Sequence, residues 1–104
     1  MAKMVVIYKK PADPEAFNRH YFDIHAPLAK KLPGLRRYDV SRGDVVNLAA
    51  GEAPYLVGTL HFDAMADMKA ASATEAGRAC AEDRRKYAPD ETSFTMLLFD
   101  DEPV

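Results

Sequence analysis

Four short stretches of the chain are rich in apolar, β-branched and aromatic residues, and two longer stretches between them have helical spacing. Alternation of apolar and polar positions with a period of two is typical of strands that bury one face. The four predicted strands are 4–8, 35–45, 55–62 and 93–99. The second is the most polar of them. The third contains Gly58, which predicts a bulge or a close approach by another group.

The first helical stretch begins after the loop KKPAD. Asp13 can cap this helix, and Pro14 suits its first position because a residue there needs no N–H partner. From Phe17 to Leu32, apolar or aromatic side chains recur every three or four positions. Pro27 lies inside that stretch and lacks an N–H, so a kink or a fresh helical start is expected there.

The second helical stretch consists of two pieces, 63–74 and 74–88. Asp63 and Thr74 are their candidate N-caps, because short polar side chains satisfy the unpaired N–H groups of a first turn. The charged run EDRRKY in the second piece is interpreted as a solvated helix face. Cys80 lies among alanines and is interpreted as a small packing residue.

This order of elements predicts an α+β fold of the ferredoxin-like, split β-α-β-β-α-β type. A four-stranded antiparallel sheet would carry the helices on one face. Residues 1–104 are expected to form one domain, because a chain of this length builds one core. Several strands are apolar on both faces, so the sheet face without helices is also apolar. A homodimer that pairs two such faces, as a barrel across two chains, would bury it.

Composition and charge argue against several classes of protein. Hydrophobic residues make up 48% of the chain and charged residues 29%, and the net charge is -2. The absence of a basic run argues against nucleic-acid binding. No apolar run approaches the roughly 18 residues that cross a bilayer, and a signal peptide is not expected at the N-terminus. A cytoplasmic location is therefore predicted. The single cysteine excludes an intrachain disulfide and a paired-cysteine zinc site.

The stretch FNRHYFDIHAPL, residues 17–28, holds the main candidates for chemistry. An imidazole titrates near neutral pH, so His25 can take up and return a proton as a general acid or base. The alternative is a half-buried His25 that bonds to the Asp23 carbonyl freed by Pro27. Tyr21 lies one turn earlier. Its hydroxyl either binds a substrate oxygen or orients the imidazole, or its ring packs on the sheet.

The remaining histidines are weaker candidates. His20 lies off the helix face that carries His25, so it is expected to be exposed or at a pocket rim. His61 shares a strand face with Thr59. It lines the pocket if that face meets the helices, and otherwise belongs to a dimer interface.

Two strand tyrosines, Tyr8 and Tyr38, are either hydroxyl donors to a pocket or packing residues of the core. Three histidines raise the question of a metal site. However, His20 and His25 are five positions apart, which is not the spacing of two ligands on one helical face, and no carboxylate set accompanies them. No metal is therefore expected.

Most of the chain resembles the EthD-like family, which is named for a protein of ethyl tert-butyl ether degradation. The matching positions in the first half are Tyr21, Phe22, His25, Pro27, Leu28, Pro33, Gly34, Leu35 and Tyr38. The matching positions of a looser S-x-E-G-x-x-x-x-x-D pattern in the second half are Ser72 or Thr74, Glu75, Gly77 and Asp83. Phe22 stands where the family often has tryptophan.

The resemblance implies a dimeric α/β barrel with a pocket between sheet and helices in each subunit. Relatives in this superfamily include muconolactone isomerases, cofactor-free monooxygenases, polyketide cyclases, decarboxylases and haem-binding proteins. The fold therefore does not specify one reaction.

The leading hypothesis is an EthD-like enzyme that isomerises, cyclises or decarboxylates a small hydrophobic oxygenated compound. His25 would move the proton and Tyr21 would stabilise the developing oxyanion. The expected substrate contacts are Tyr8, Phe17, Tyr38 and His61. The sequence has no flavin or nicotinamide motif, so no cofactor is expected and any oxygen chemistry would be cofactor-free or use haem.

Two alternatives use the same residues differently. In the first, a dimeric accessory protein binds a small ligand without transforming it, and His25 only donates or accepts a hydrogen bond. In the second, a haem protein uses His25 or His61 as an axial ligand.

Overall fold

Strands and helices follow one another in the predicted order in the computed structural model, which describes residues 1–104. The strands are β1 (Ala2–Tyr8), β2 (Arg37–Val40), β3 (Leu56–Phe62) and β4 (Phe94–Asp100). The helices are α1 (Pro14–His20), α2 (Ala26–Ala29), α3 (Met65–Ser72) and α4 (Glu75–Tyr87). A π-helical turn, Tyr21–His25, joins α1 to α2, and a 3-10 turn, Glu91–Ser93, precedes β4. The predicted ferredoxin-like α+β fold is confirmed.

The four strands form one antiparallel sheet in the order β2-β3-β1-β4. In the register of the sheet, Val6 of the central strand β1 lies opposite Gly58 of β3 and Met96 of β4. Along β3, buried residues alternate with half-buried ones, as expected for a strand with one covered face. Leu60 belongs to the face that meets the helices, and His61 belongs to the opposite face.

The first helical stretch changes its geometry at the position that the proline predicts. The Asp13 side chain caps α1 by accepting a hydrogen bond from the Ala16 N–H at 3.1 Å. Within the π-helical turn, the Ala26 N–H donates to the Tyr21 carbonyl five residues earlier. Regular α-helix then restarts in α2 with Pro27 in its first turn, where no N–H is needed. The predicted fresh start is confirmed.

Of the two caps predicted for the second helical stretch, one is present and the other is absent. The Thr74 side chain accepts a hydrogen bond from the Gly77 N–H at 3.1 Å and caps α4. By contrast, α3 begins after Ala64 with no side-chain cap. The prediction for Asp63 is wrong because its carboxylate instead accepts a hydrogen bond from the Arg36 guanidinium at 2.7 Å.

The second strand is shorter than the predicted 35–45. Pairing with β3 ends at Val40, and an irregular loop continues to residue 55. Gly43 and Gly51 in this loop have φ angles of 71° and 112°, a region of backbone conformation that an extended strand does not use. The Asn47 side chain accepts a hydrogen bond from the Ala49 N–H at 2.9 Å and folds the loop on itself.

The core lies between one face of the sheet and the helices, in two clusters. One is centred under α3 and contains Ala2, Ala29, Leu60, Phe62, Met68 and Ala71. The other lies under α1 and contains Val6, Tyr8, Phe17, Tyr21, Leu56 and Ala88. None of the helices has both the length and the apolar composition needed to cross a bilayer.

The opposite face of the sheet, called here the open face, carries no helix. Its apolar residues are Val5, Ile7, Val57, Leu97 and Phe99. One end of the open face is polar, because the Asp39 carboxylate accepts from His61 at 3.0 Å and from the Arg37 guanidinium at 2.8 Å. The apolar part remains uncovered in a single chain.

Candidate functional site

A cavity of about 280 Å³ lies between the sheet and the helices, where the two core clusters meet. Most of its lining is apolar, and its polar groups come from opposite walls. The polar or titratable lining residues are Tyr8, Tyr21, His25, Tyr38, Ser72, Cys80 and Arg84. Met96 of β4 also lines the cavity and is exposed, so the cavity reaches the protein surface. An apolar cavity with a few convergent polar groups is the usual form of a small-molecule site.

Two tyrosine hydroxyls meet at the sheet side of the cavity. Tyr21, from the π-helical turn, and Tyr38, from β2, form a short hydrogen bond through their hydroxyl groups. Gly58 makes room for them, because a Cβ at that position would lie only 2.9 Å from the Tyr21 Oη. The close approach predicted at Gly58 is therefore confirmed. Burial raises the pKa of both hydroxyls, so both stay protonated at neutral pH.

A second tyrosine pair lies beside the first. The hydroxyls of Tyr8 and Tyr87 form a hydrogen bond of 2.7 Å. Burial raises the pKa of Tyr8 to about 12 and raises that of Tyr87 as well. The Tyr8 ring meets the Tyr21 ring edge to face, with 5.7 Å between the ring centroids. Tyr8, Tyr21 and Tyr38 give the cavity aromatic walls and uncharged hydrogen-bonding groups, and Tyr87 holds the Tyr8 hydroxyl from outside the lining.

His25 points one ring nitrogen at a buried carboxylate. Its Nδ1 lies 3.0 Å from the Oδ2 of Asp83, a residue that is only 3% exposed. A carboxylate only accepts hydrogen bonds, so Nδ1 carries the proton and the neutral ring has its lone pair on Nε2. Nε2 has no hydrogen-bond partner within the chain. Every fully buried side-chain nitrogen or oxygen of the protein does have a partner, so Nε2 is accessible to solvent. It is therefore the basic atom available to a ligand.

Burial lowers the pKa of His25, and this effect outweighs the opposing effect of the Asp83 carboxylate. The imidazole is therefore neutral at neutral pH. Its ring meets the Tyr87 ring nearly edge to face, with 4.9 Å between centroids. The alternative partner considered for His25, the Asp23 carbonyl, is not used.

The same carboxylate also binds the second histidine of the helical stretch. The Nε2 of His20 lies 2.8 Å from the Oδ1 of Asp83. Asp83 thus accepts one hydrogen bond at each oxygen and fixes both rings. His20 is half-buried, as expected for a residue at the edge of the pocket, but it does not line the cavity itself.

Asp83 and Tyr87 are the site residues that the sequence interpretation missed. Both lie in the run EDRRKY, and the prediction that this run is a solvated helix face is wrong for these two residues. The spacing of Cys80, Asp83 and Tyr87 places them on one face of α4. Cys80 lines the cavity, and Asp83 and Tyr87 bond to the lining residues His25 and Tyr8. That spacing, together with the match of Asp83 to the family pattern, could have indicated from the sequence that these residues belong to the site.

Two of the expected substrate contacts lie elsewhere. His61 is on the open face of the sheet and bonds to Asp39, so it does not share a cavity with His25. Phe17 is buried in the core and stacks on Tyr21, with 5.8 Å between ring centroids, but it does not line the cavity. The other four candidates, His25, Tyr21, Tyr8 and Tyr38, all line the cavity.

A larger and more open cleft of about 770 Å³ lies beside the loop between β2 and β3. It is lined by residues such as Lys10, Phe22 and Arg42, and it contains no histidine. Its walls include no buried titratable group, so we place the candidate site in the smaller cavity. Within that cavity, burial raises the pKa of Cys80, which keeps its thiol protonated and a poor nucleophile.

Comparison with known proteins identifies related sequences and folds. A family model described as EthD domain matches residues 9–91. An uncharacterised 11.0 kDa protein of the thcB-thcC intergenic region of Rhodococcus erythropolis is 32% identical, over 100% of this chain and 98% of that protein. The crystal structure of an EthD family protein from Bacillus halodurans has a TM-score of 0.86 and 32% identity, covering 98% of this chain and 99% of that one.

More distant structures share the fold alone. SnoaB, a cofactor-independent oxygenase from Streptomyces nogalater, has a TM-score of 0.70 at 14% identity, covering 99% of this chain and 94% of that one. Dimeric ferredoxin-like proteins from Thermobifida fusca and Bacteroides fragilis match with TM-scores of 0.66 and 0.59, at 16% and 20% identity. The match to the Thermobifida fusca protein covers 94% of this chain and 88% of that protein. The match to the Bacteroides fragilis protein covers 95% of this chain and 94% of that protein.

Proposed function

This chain belongs to the EthD domain family, and from that premise we propose that it is an enzyme that moves a proton on a small, hydrophobic, oxygenated compound. One observation carries the proposal. A buried carboxylate, Asp83, holds His25 in the tautomer that leaves Nε2 as a base beside a cavity lined by protonated tyrosine hydroxyls. The reaction class is isomerisation, cyclisation or decarboxylation through an enol or enolate.

The proposed first step is removal of a proton from a carbon next to a substrate carbonyl. The Nε2 lone pair of His25 takes the proton, and the electrons of the C–H bond move to form an enolate. The imidazolium that results is stabilised by the carboxylate of Asp83, which faces its Nδ1–H. Return of the proton at another carbon completes an isomerisation and restores the neutral ring.

The tyrosine pair of the sheet supplies a donor for the enolate oxygen. In the hydrogen bond between Tyr21 and Tyr38, one hydroxyl donates and the other keeps its own proton. Both residues line the cavity, so the remaining O–H can donate to a substrate oxygen that becomes negative. Tyr21 is proposed for this role, because it lies in the same π-helical turn as His25.

The dimensions of the cavity restrict the ligand. A cavity of about 150 Å³ suffices for benzene, so the observed volume of about 280 Å³ accepts one ring with substituents. A haem group has four pyrrole rings in one plane and does not fit this volume. His61, the other proposed axial ligand, lies on the opposite face of the sheet. We therefore derive no step through haem.

Proton exchange with solvent tests the proposal without knowledge of the natural substrate. The purified protein would be incubated in D₂O with α-angelica lactone, acetophenone and α-tetralone, and deuterium uptake followed by NMR. We expect enhanced exchange or isomerisation of at least one probe, and a loss of about a hundredfold or more in His25→Gln. His61→Gln is the matched control, because it removes a histidine outside the cavity.

The same experiment separates this proposal from its competitors. Binding of the probes without any exchange would contradict an enzyme and favour a protein that only holds a ligand. Dioxygen-dependent consumption of a probe that requires His25 would favour a cofactor-independent oxygenase, the activity named for the Streptomyces nogalater neighbour. In that case the same base would form the carbanion that reduces dioxygen.

We further propose that the protein is a homodimer in which two open faces pack together. The apolar side chains of the open face have no cover in one chain, and Leu97 is 46% exposed. Contiguous apolar surface of this kind marks an interaction site. The dimeric ferredoxin-like neighbours support a dimer. The cytoplasmic location and the link to ether degradation stay predictions.

A further inference from the structure

Arg84 is the one residue with a permanently charged side chain in the lining of the cavity. All the other lining residues are apolar, or carry hydroxyl, thiol or neutral imidazole groups. Arg84 belongs to the inward face of α4, next in sequence to the carboxylate that fixes His25. A guanidinium carries a permanent positive charge, so this wall of the cavity is positive.

The guanidinium of Arg84 has no carboxylate partner. No Asp or Glu oxygen lies within 4.0 Å of it, although Arg36 and Arg37 elsewhere in the protein each pair with an aspartate. The adjacent carboxylate of Asp83 is occupied by two histidines. Arg84 is half-buried, so its charge stands at the cavity without a carboxylate of the chain beside it.

Two contacts hold the Arg84 side chain in place without using up its donors. One N–H donates to the Ala88 carbonyl at 3.2 Å, and the guanidinium carbon lies 4.4 Å from the centroid of the Phe94 ring. A guanidinium has five N–H groups, so four remain. A planar group held on an aromatic ring is already oriented to donate two parallel hydrogen bonds, as carboxylates require.

Arg84 is close enough to the base to affect it. His25 and Arg84 line the same cavity of about 280 Å³. An anionic group bound at Arg84 would therefore lie near His25, with the rest of the ligand beside its Nε2.

We propose that Arg84 binds the carboxylate of an organic acid of single-ring size, so that the ligand of this cavity is an anion and not a neutral compound. This inference rests on the proposed function and names its substrate class. The carboxylate would lie against the guanidinium, and the ring against Tyr8 and Tyr21. Removal of a proton by His25 would then create a second negative charge, which Arg84 also stabilises.

Matched pairs of an acid and its amide test the inference, because the two differ in charge and hardly in shape. Binding of benzoate and benzamide, and of salicylate and salicylamide, would be measured by calorimetry or ligand-detected NMR. We expect each acid to bind at least about tenfold more tightly than its amide, because hydrogen bonds between charged groups are about twice as strong as neutral ones. Arg84→Gln should abolish this preference, and Arg84→Lys should keep part of it.

Arg85→Gln is the control, because it removes the same charge from an exposed position one residue further along α4. Unfolding curves of all variants would show that they fold. Equal binding of acid and amide, binding of neither, or a preference that survives Arg84→Gln would overturn the inference. If neutral lactones exchange protons in a His25-dependent way but acids are not preferred over amides, the proposed function holds and the carboxylate site at Arg84 is wrong. An acid preference without exchange would leave only the anion site.

Discussion

At the scale of single residues, Asp83 links the two histidines of the opening helical stretch. Each of its carboxylate oxygens accepts one imidazole N–H, at 2.8 Å from His20 and at 3.0 Å from His25. The position of this carboxylate determines which nitrogen of His25 is free. In the proposed reaction Asp83 would act on the substrate only through that ring, so it is a positioning residue.

Asp83→Asn should disturb the tautomer of His25. An amide offers one acceptor and one donor in place of two acceptors, so one imidazole must present a lone pair where it now donates. We expect proton exchange activity to fall at least about tenfold, and stability to fall by about 1–3 kcal/mol because a buried polar group loses its partner. Nitrogen-15 NMR of the imidazoles should detect protonation at Nε2 of His25. Glu82→Gln, at an exposed neighbouring position, is the control. Retention of the Nδ1–H tautomer at a full rate would contradict the role.

The lowered pKa of His25 makes a prediction about pH. In the unfolded chain the imidazole titrates near its ordinary value of about 6.5, whereas burial lowers its pKa in the native protein. Below about pH 6.5 the unfolded state therefore takes up a proton that the native state resists. The free energy of unfolding is therefore not reduced above that pH. It falls as the pH is lowered and levels off below the native pKa of His25.

Urea unfolding at several pH values would check this prediction. The free energy of unfolding of the wild type should fall relative to that of His25→Gln as the pH drops from about 7.5 to about 5. The rate of proton exchange should stay flat near neutral pH and fall once His25 becomes protonated. A difference between the two proteins that does not vary with pH would show that burial does not depress this pKa.

At the scale of elements, β3 and the π-helical turn fit each other at one point. Gly58 faces the Tyr21 hydroxyl, and the wider turn carries both Tyr21 and His25 to the cavity. π-helical turns are rare and are often found at functional sites. Helical spacing in the sequence indicates which face carries these residues, but it does not reveal the wider turn.

Gly58→Ala should destabilise the protein by about 1–3 kcal/mol, because the new methyl group would lie 2.9 Å from the Tyr21 Oη. Removal of that hydroxyl by Tyr21→Phe should recover part of the loss in the double variant. A double-mutant cycle from urea unfolding measures this coupling. Additive effects of the two substitutions would mean that the strand and the tyrosine do not meet.

Helix α4 shows why one part of the site was missed. Its run EDRRKY alternates in role. Arg84 lines the cavity, Asp83 and Tyr87 bond to the lining residues His25 and Tyr8, and Glu82 and Arg85 are exposed. In sequence, a charged run is most simply interpreted as a solvated face. Contacts with other elements hold the inward residues in place: Asp83 bonds to two histidines, and Arg84 lies on the Phe94 ring.

At the scale of the whole molecule, the open face of the sheet predicts the oligomeric state. Leu97 and Leu98 are neighbours in β4 with nearly equal exposure, 46% and 44%, but they lie on opposite faces of the sheet. Leu97→Asp should convert a dimer to a monomer in light scattering, because it buries a charge in the interface. Leu98→Asp, the control, should remain a dimer. A wild-type monomer, or equal behaviour of the two variants, would contradict pairing of open faces.

The order β-α-β-β-α-β could be predicted from the sequence, because periodicity and capping are local properties of a chain. The sequence also named His25, Tyr21, Tyr8 and Tyr38 as candidates, and all four line the cavity. Local patterns also placed His61 on one strand face without showing which face the helices cover. Only the tertiary structure decided that His61 lies outside the cavity. It also brought Asp83 to His25 across 58 positions of the chain. Such a contact depends on how α4 packs against the first helical stretch, and packing between distant segments leaves no periodic signal in either of them.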